Sequence, residues 1–226
     1  FILCSPHNPV GRVWTKEELI RLGDLCLKHG VIIVSDEIHA DFIYNGNRHF
    51  VFTSLKQEYL KNTIVCTAPS KTFNLAGLQV SNIFIANKDI REKFKQEIKK
   101  TGYSQLNTMG LIGCQVAYEQ GEKWLDDLNT YLEGNLNFIR NFLAKRLPQI
   151  QLVEPQGTYL IWLDFKGLHY SEEELEELIV SKAKLWFSSG TTFGSEGVGF
   201  QRINIACPRS TLERALVQLE EAIKGD

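Results

Sequence analysis

The feature that most constrains this chain is a repeated order. A short apolar run comes first, then a cluster of turn formers and polar groups, then helical periodicity. Phe1-Ile2-Leu3-Cys4 runs into Ser5-Pro6-His7-Asn8-Pro9-Val10-Gly11. Val31-Ile32-Ile33-Val34 runs into Ser35-Asp36-Glu37-Ile38-His39, and the segment 62–67 runs into Ala68-Pro69-Ser70-Lys71-Thr72-Phe73-Asn74. Apolar runs without alternation are the pattern of strands covered on both faces, and we expect Val31-Ile32-Ile33-Val34 to be one of them. Strands separated by helices fold as a parallel or mixed sheet beneath helices, so the class is α/β. Phe1-Ile2-Leu3-Cys4 reads like the middle of a buried strand, which points to the C-terminal part of a longer protein.

The helices carry their own signals. Thr15-Lys16-Glu17-Glu18 is a capping box opening a helix with Leu19, Leu22 and Cys26 on one face, and Gly30 can close it in the left-handed conformation. Residues 80–86 read as a third apolar strand, and a basic amphipathic helix runs from Asp89 to about Lys100. Residues 107–147 are helical with a break near Gly121, stopped by Pro148. Beyond it, 151–154, 158–165 and 201–207 read as strands. Ser171-Glu172-Glu173-Glu174 and Ser210-Thr211-Leu212-Glu213 read as capping boxes for helices over 172–183 and 211–224. We therefore expect part of a large domain over 1–124 and a smaller α+β domain over 125–226.

Composition narrows the function classes. The 226 residues are 43% hydrophobic and 23% charged, which excludes disorder, collagen and a disulfide miniprotein. With 25 Lys and Arg against 27 Asp and Glu, the net charge is −2, and this near-neutral balance argues against a surface that coats a nucleic acid, which would need clustered Lys and Arg. No apolar run approaches the ~18 residues of a membrane span, and the start lacks the pattern of a secretory signal. The five cysteines are scattered with no CxxC pair, so we expect buried free thiols, a reducing cytoplasmic setting and no metal cluster.

Three loops that follow strands can bring their side chains to one sheet edge, where α/β proteins bind ligands. They supply an amide (Asn8), a carboxylate with an imidazole (Asp36, His39) and an amine (Lys71). That set suits an aldehyde cofactor with a pyridine ring. A lysine of lowered pKa forms a Schiff base, and a carboxylate against the ring nitrogen keeps it protonated.

These motifs, in this order, resemble the pyridoxal-phosphate (PLP) enzymes of the aspartate aminotransferase fold, fold type I. The resemblance covers the whole chain, as the C-terminal part of the large domain, with a mostly parallel sheet, plus the small domain. It implies that Lys71 is the Schiff-base lysine, that Asp36 binds the pyridine nitrogen, and that Asn8 bonds the ring hydroxyl near the substrate carboxylate. Arg202, in Gln201-Arg202-Ile203-Asn204-Ile205-Ala206-Cys207-Pro208-Arg209, matches the arginine that holds the substrate α-carboxylate. Arg209 is read as merely preceding the last helix. Aminotransferases of this fold usually have Tyr where His39 stands. His39, the string from Ala68 to Gln79, and Phe193-Gly194-Ser195-Glu196-Gly197 resemble the cystathionine β-lyase group that includes MalY and PatB. Ala68 departs from the family's phosphate-binding Ser, leaving Thr67 or Ser70 to substitute, and Gln79 stands where an Arg is common.

The resemblance implies a PLP-dependent β-elimination on an amino acid with sulfur at Cβ, such as cystathionine or cysteine, and a homodimer. Transamination by the same residues is the alternative, and a non-catalytic aminotransferase-like sensor domain is a second. His7, His29, His49 and His169 read as loop or helix-end residues, and Trp14, Trp124, Trp162 and Trp186 as packing groups. Tyr159 reads as a pocket or core residue near the strand of Arg202.

Overall fold

The computed structural model describes residues 1–44 and 46–225. The chain divides into two compact units: residues 1–7 with 12–127, and residues 8–11 with 128–226. Among the described residues no helix is long and apolar enough to cross a membrane.

The first unit is built on a four-stranded sheet of β1 (Ile2–Cys4), β2 (Ile33–Asp36), β3 (Thr63–Thr67) and β4 (Asn82–Ile85), in that order. The first three strands are parallel and β4 is antiparallel to β3. Register sets Cys4 beside Asp36 and Asp36 beside Cys66, so the carboxyl ends of the parallel strands are level. Helix α1 (Lys16–Lys28) begins at the Thr15 capping box, with both reciprocal hydrogen bonds made. Gly30 takes a positive φ of 65° in the turn that follows. The α1 face formed by Leu19 and Cys26 packs with Leu3, Ile33, Phe52 and Tyr59 into the core of this unit.

The run Val31–Val34 is not a strand sealed on both faces. Val31 and Ile32 are exposed. The Val31 N–H donates to Cys26 C=O in the turn closing α1, and the ladder starts only where the Ile33 N–H reaches Asn62 C=O. Within β2 burial alternates: Ile33 and Ser35 are sealed, while Val34 and Asp36 are half-buried. After β3 come α2 (Pro69–Thr72), a single turn, then β4, α3 (Lys88–Lys100) and α4 (Thr108–Gln120). Gly121 breaks the long helical stretch before α5 (Glu122–Arg146), within which the two units meet in sequence. A Cβ at Gly121 would come 2.4 Å from the Phe73 ring, so glycine is required by close approach.

The second unit has an antiparallel sheet in the order β5 (Gln151–Val153), β6 (Leu160–Asp164), β8 (Phe200–Asn204), β7 (Ser188–Ser189). Its buried apolar side chains include Ile139 and Leu143 of α5, Ile161 and Leu163 of β6, and Leu212, Leu216 and Leu219 of α7 (Arg209–Lys224). The Ser171 capping box opens α6 (Glu172–Glu176), which continues as a π-helical turn over Glu177–Lys182.

Three further expectations fail. The Ser210 capping box is absent, because α7 starts two residues earlier, with Pro208 extended at the N-cap and the Arg209 N–H donating to the Tyr131 hydroxyl. Trp186 is no packing residue: it is 90% exposed. All five cysteines are free, but only Cys26 is buried; the other four are partly exposed.

Candidate active site

The carboxyl edge of the first sheet carries most of the sequence-derived site. Asp36 closes β2. Its C=O accepts from the Ser5 N–H at 3.0 Å, while the Glu37 N–H reaches Cys66 C=O at 2.9 Å, so the exits of β1, β2 and β3 are tied together. The Asp36 Oδ1 accepts from the Ile38 N–H at 3.2 Å, an Asx turn that fixes the carboxylate at the strand end. Burial pushes the neighbouring Cys66 thiol up, with the charges of Asp36 and Glu37 adding to it, so the thiol stays protonated. His39 is buried, its ring 6.4 Å from Phe42, in a turn held by Ala40 N–H to Glu37 C=O and Phe42 N–H to His39 C=O.

Lys71 lies on α2, four residues past the end of β3. Pro69 at the first helical position pre-sets φ, while Ala68 caps without a side-chain bond. Lys71 is half-buried, and among the described residues its amine makes no hydrogen bond or ion pair. The hydroxyl of the next residue, Thr72, donates to Asp41 Oδ2 at 2.6 Å. The Phe73 ring meets Tyr118 edge-on at 5.8 Å and Trp124 at 5.9 Å. Thr67 and Ser70, the stand-ins for the missing phosphate serine, are half-buried on either side of Ala68. Burial raises the Tyr118 phenol, against the pull of its hydrogen bond with Thr67. A cavity of about 490 Å³ opens along this edge, lined by Glu37, Asp41, Thr67, Ala68, Asn82 and Tyr118 among others.

The second unit holds the other two site residues. Arg202, on β8, donates from Nη1 to Asn8 Oδ1 at 2.9 Å and from Nη2 to Ser188 Oγ at 3.1 Å. Its guanidinium lies 4.8 Å from the centre of the Phe193 ring, which stands edge-on to Trp162. Burial pulls the guanidinium below its ordinary value, against the opposing influence of the Tyr159 phenol; Tyr159 itself is raised by burial. No carboxylate among the described residues pairs with Arg202. A half-buried guanidinium held by two neutral acceptors keeps its affinity for an incoming carboxylate. Arg209 does more than precede a helix: its Nε donates to Asn135 Oδ1 at 2.7 Å.

Sequence reasoning missed Glu37 and misjudged His49. The Glu37 carboxylate accepts from Ser35 Oγ (2.9 Å) and the Phe52 N–H (3.0 Å), and His49 Nε2 lies 2.9 Å away. His49 therefore has a buried partner twelve residues back, and no local pattern around it signals this. Among the described residues no cluster of three or more His, Cys, Asp or Glu could hold a metal ion.

Known proteins resemble this chain in sequence and fold. The chain is 43% identical to cystathionine beta-lyase PatB of Bacillus subtilis over 99% of its own length and 58% of the relative's. It is 36% identical to the MalY protein of Escherichia coli, over 99% of this chain and 57% of that one. Cystalysin from Treponema denticola, whose crystal structure contains a pyridoxal 5'-phosphate cofactor, superposes with a TM-score of 0.96 at 42% identity, over 99% of this chain and 57% of that one. The chain thus spans less than two thirds of the length of these relatives. The sequence pattern of one family runs through residues 1–219, taking in the strand edge of Asp36, the turn of Lys71 and the strand of Arg202, and the chain belongs to that family, aminotransferase class I and II.

Proposed function

We propose that this chain supplies the lysine, the ring-nitrogen carboxylate and the carboxylate-binding arginine of a PLP-dependent carbon–sulfur β-lyase. Its substrates are amino acids of the cystathionine and cysteine type, and its products are a thiol, pyruvate and ammonia. The observation that carries the reading is a half-buried Lys71 amine with no partner among the described residues, on the turn following the strand next to the one Asp36 closes. Similarity to PatB, MalY and cystalysin supports the lyase reading over transamination.

The residues fit the cofactor. Lys71 is its covalent anchor. Asp36, with Oδ1 held by the Ile38 N–H, has its other oxygen for the protonated ring nitrogen. Asn8, whose Oδ1 accepts from Arg202, would bond the ring hydroxyl. His39 would line the ring site, and Thr67 and Ser70 would offer hydroxyls to the phosphate. When bound, PLP supplies an electron sink for the pair left at the substrate α-carbon.

The chain's own groups do the rest. Arg202 grips the α-carboxylate through its planar fork. Neutral Lys71 Nζ takes the α-proton. As the Cβ–S bond breaks, its electron pair leaves with sulfur, and the resulting Lys71 ammonium returns a proton to the thiolate. Asp36 would face the ring nitrogen and hold its proton there.

Purified protein with PLP and cystathionine should release thiol and pyruvate in equal amounts. Lys71→Ala should abolish both that release and the borohydride-fixed lysine adduct seen by mass spectrometry. Amino transfer to a keto acid without thiol release would overturn the lyase reading in favour of transamination, and cofactor binding with neither reaction would favour the sensor. We also place the protein in the cytoplasm as a homodimer; five free thiols suit a reducing compartment, and analytical ultracentrifugation tests the dimer.

A further inference from the structure

Helix α2 is a single turn, too short to fix its own direction, because helix nucleation is unfavourable and its N-cap, Ala68, gives no side-chain bond. Lys71 has no polar partner among the described residues to hold it either. What aims the lysine is therefore whatever pins the turn. The Thr72 side chain is 1% exposed, and its hydroxyl donates to the Asp41 carboxylate at 2.6 Å, a short charge-assisted bond. Asp41 in turn sits on the loop leaving β2. That loop is made rigid by the Asx turn at Asp36, by the Ala40 and Phe42 N–H bonds, and by the buried Glu37 carboxylate, which ties it to Phe52 and His49.

We propose that Asp41 is a positioning residue for Lys71, acting through the Thr72 hydroxyl. The bond couples the loop that carries the ring-nitrogen carboxylate to the turn that carries the amine, so the two groups keep one spacing. The inference rests on the reading of Lys71 as the cofactor lysine. Without the bond, a buried hydroxyl loses its acceptor and the turn reorients to satisfy it. A displacement of about 1 Å at a reacting group costs up to ~100-fold in rate.

The test has two readouts. In cofactor-free protein, trace acetylation followed by peptide mass spectrometry measures the reactivity of Lys71 against exposed Lys145. In protein given PLP, stopped-flow absorbance measures covalent capture by the lysine. Thr72→Val and Asp41→Ala should each release the half-buried amine, raising relative acetylation, and should slow capture by about tenfold or more. The double variant should be no slower than the single ones, and Thr72→Ser, which keeps the hydroxyl, should match wild type within about twofold. A purely structural role would lower the melting temperature and leave both readouts of the folded fraction unchanged, which overturns the proposal. So would additive losses in the double variant, or a Thr72→Ser loss equal to that of Thr72→Val. If wild type captures no PLP at Lys71, the reading of the site fails, while the acetylation comparison still decides whether Asp41 and Thr72 set the lysine's exposure.

Discussion

Glu37 accepts from a hydroxyl and a backbone N–H and faces His49 Nε2, and its own exposure is 3%. Removing the carboxylate strands buried donors, and each stranded group costs about 1–3 kcal/mol. Glu37→Leu should therefore lower unfolding free energy by roughly 3 kcal/mol or more, read as a fall in the urea midpoint with an unchanged slope. Arg202 poses the opposite case, a charge whose role under the proposed function is to bind the substrate carboxylate. Arg202→Lys keeps the charge but loses the fork that reaches Asn8 and Ser188 together. In steady-state assays it should raise KM for the amino acid by about tenfold or more with a smaller change in kcat, as expected for lost ground-state carboxylate binding. At this scale the sequence was partly legible. Asp36, Lys71 and Arg202 sit in strings with strong family resemblance. Glu37 was visible only as part of a motif, and His49 not at all, because its partner is reached through the fold rather than through neighbouring residues.

Elements were legible where their signals are local. The Thr15 box and Gly30 mark both ends of α1, because capping involves only residues within one turn. Where a signal competes with its surroundings it misleads. Ser210 and Glu213 have the right spacing, yet Pro208 and the Tyr131 hydroxyl start α7 sooner. Val31 and Ile32 look like strand, yet the closing turn of α1 claims the Val31 N–H. The same competition decides a substitution inside α1. Gly23 is mid-helix, where alanine would gain about 1 kcal/mol from propensity. A Cβ there, however, would come 2.4 Å from the ring of Tyr59, which is fully buried with its hydroxyl bonded to Ile20 C=O and Asp24. The ring cannot swing away without breaking both bonds, and overpacking costs about 1–3 kcal/mol. Steric cost wins, so Gly23→Ala should lower the melting temperature; a rise would mean that the α1 core yields.

For the whole molecule, the resolved proton shifts fall into groups that bound its stability from both sides of neutrality. Burial, then the Arg12 charge, hold His7 below its ordinary 6.5, so the unfolded chain takes that proton first and stability begins to fall as pH drops below about 6.5. Glu18, Asp24, Glu174 and Glu220 are all held below their ordinary values by hydrogen bonds. Each therefore contributes stability above the unfolded carboxyl range and loses it as pH falls through the folded value. Cys66, Cys207, Tyr59, Tyr118 and Tyr159 are raised, all mainly by burial, and the stability they contribute is lost as pH rises past their ordinary 9.0 and 10.0. The result is a plateau between about pH 6.5 and about pH 9. Asp24 and Glu174 are open to solvent and Glu18 is partly so, and screening weakens their interactions. Glu220 differs: it is buried on α7 between Arg146 of α5 and Lys224, with Arg146 the larger cause of its shift. Glu220→Gln should thus melt several degrees below wild type at neutral pH, because Arg146 keeps its charge and loses its counter-ion. The two melting curves should converge only as pH falls through the folded value of Glu220, which lies below its ordinary 4.5. A constant offset from about pH 3 to about pH 7 would show that Glu220 acts by packing and not by charge, and the acid edge would then belong to His7 and the exposed carboxylates.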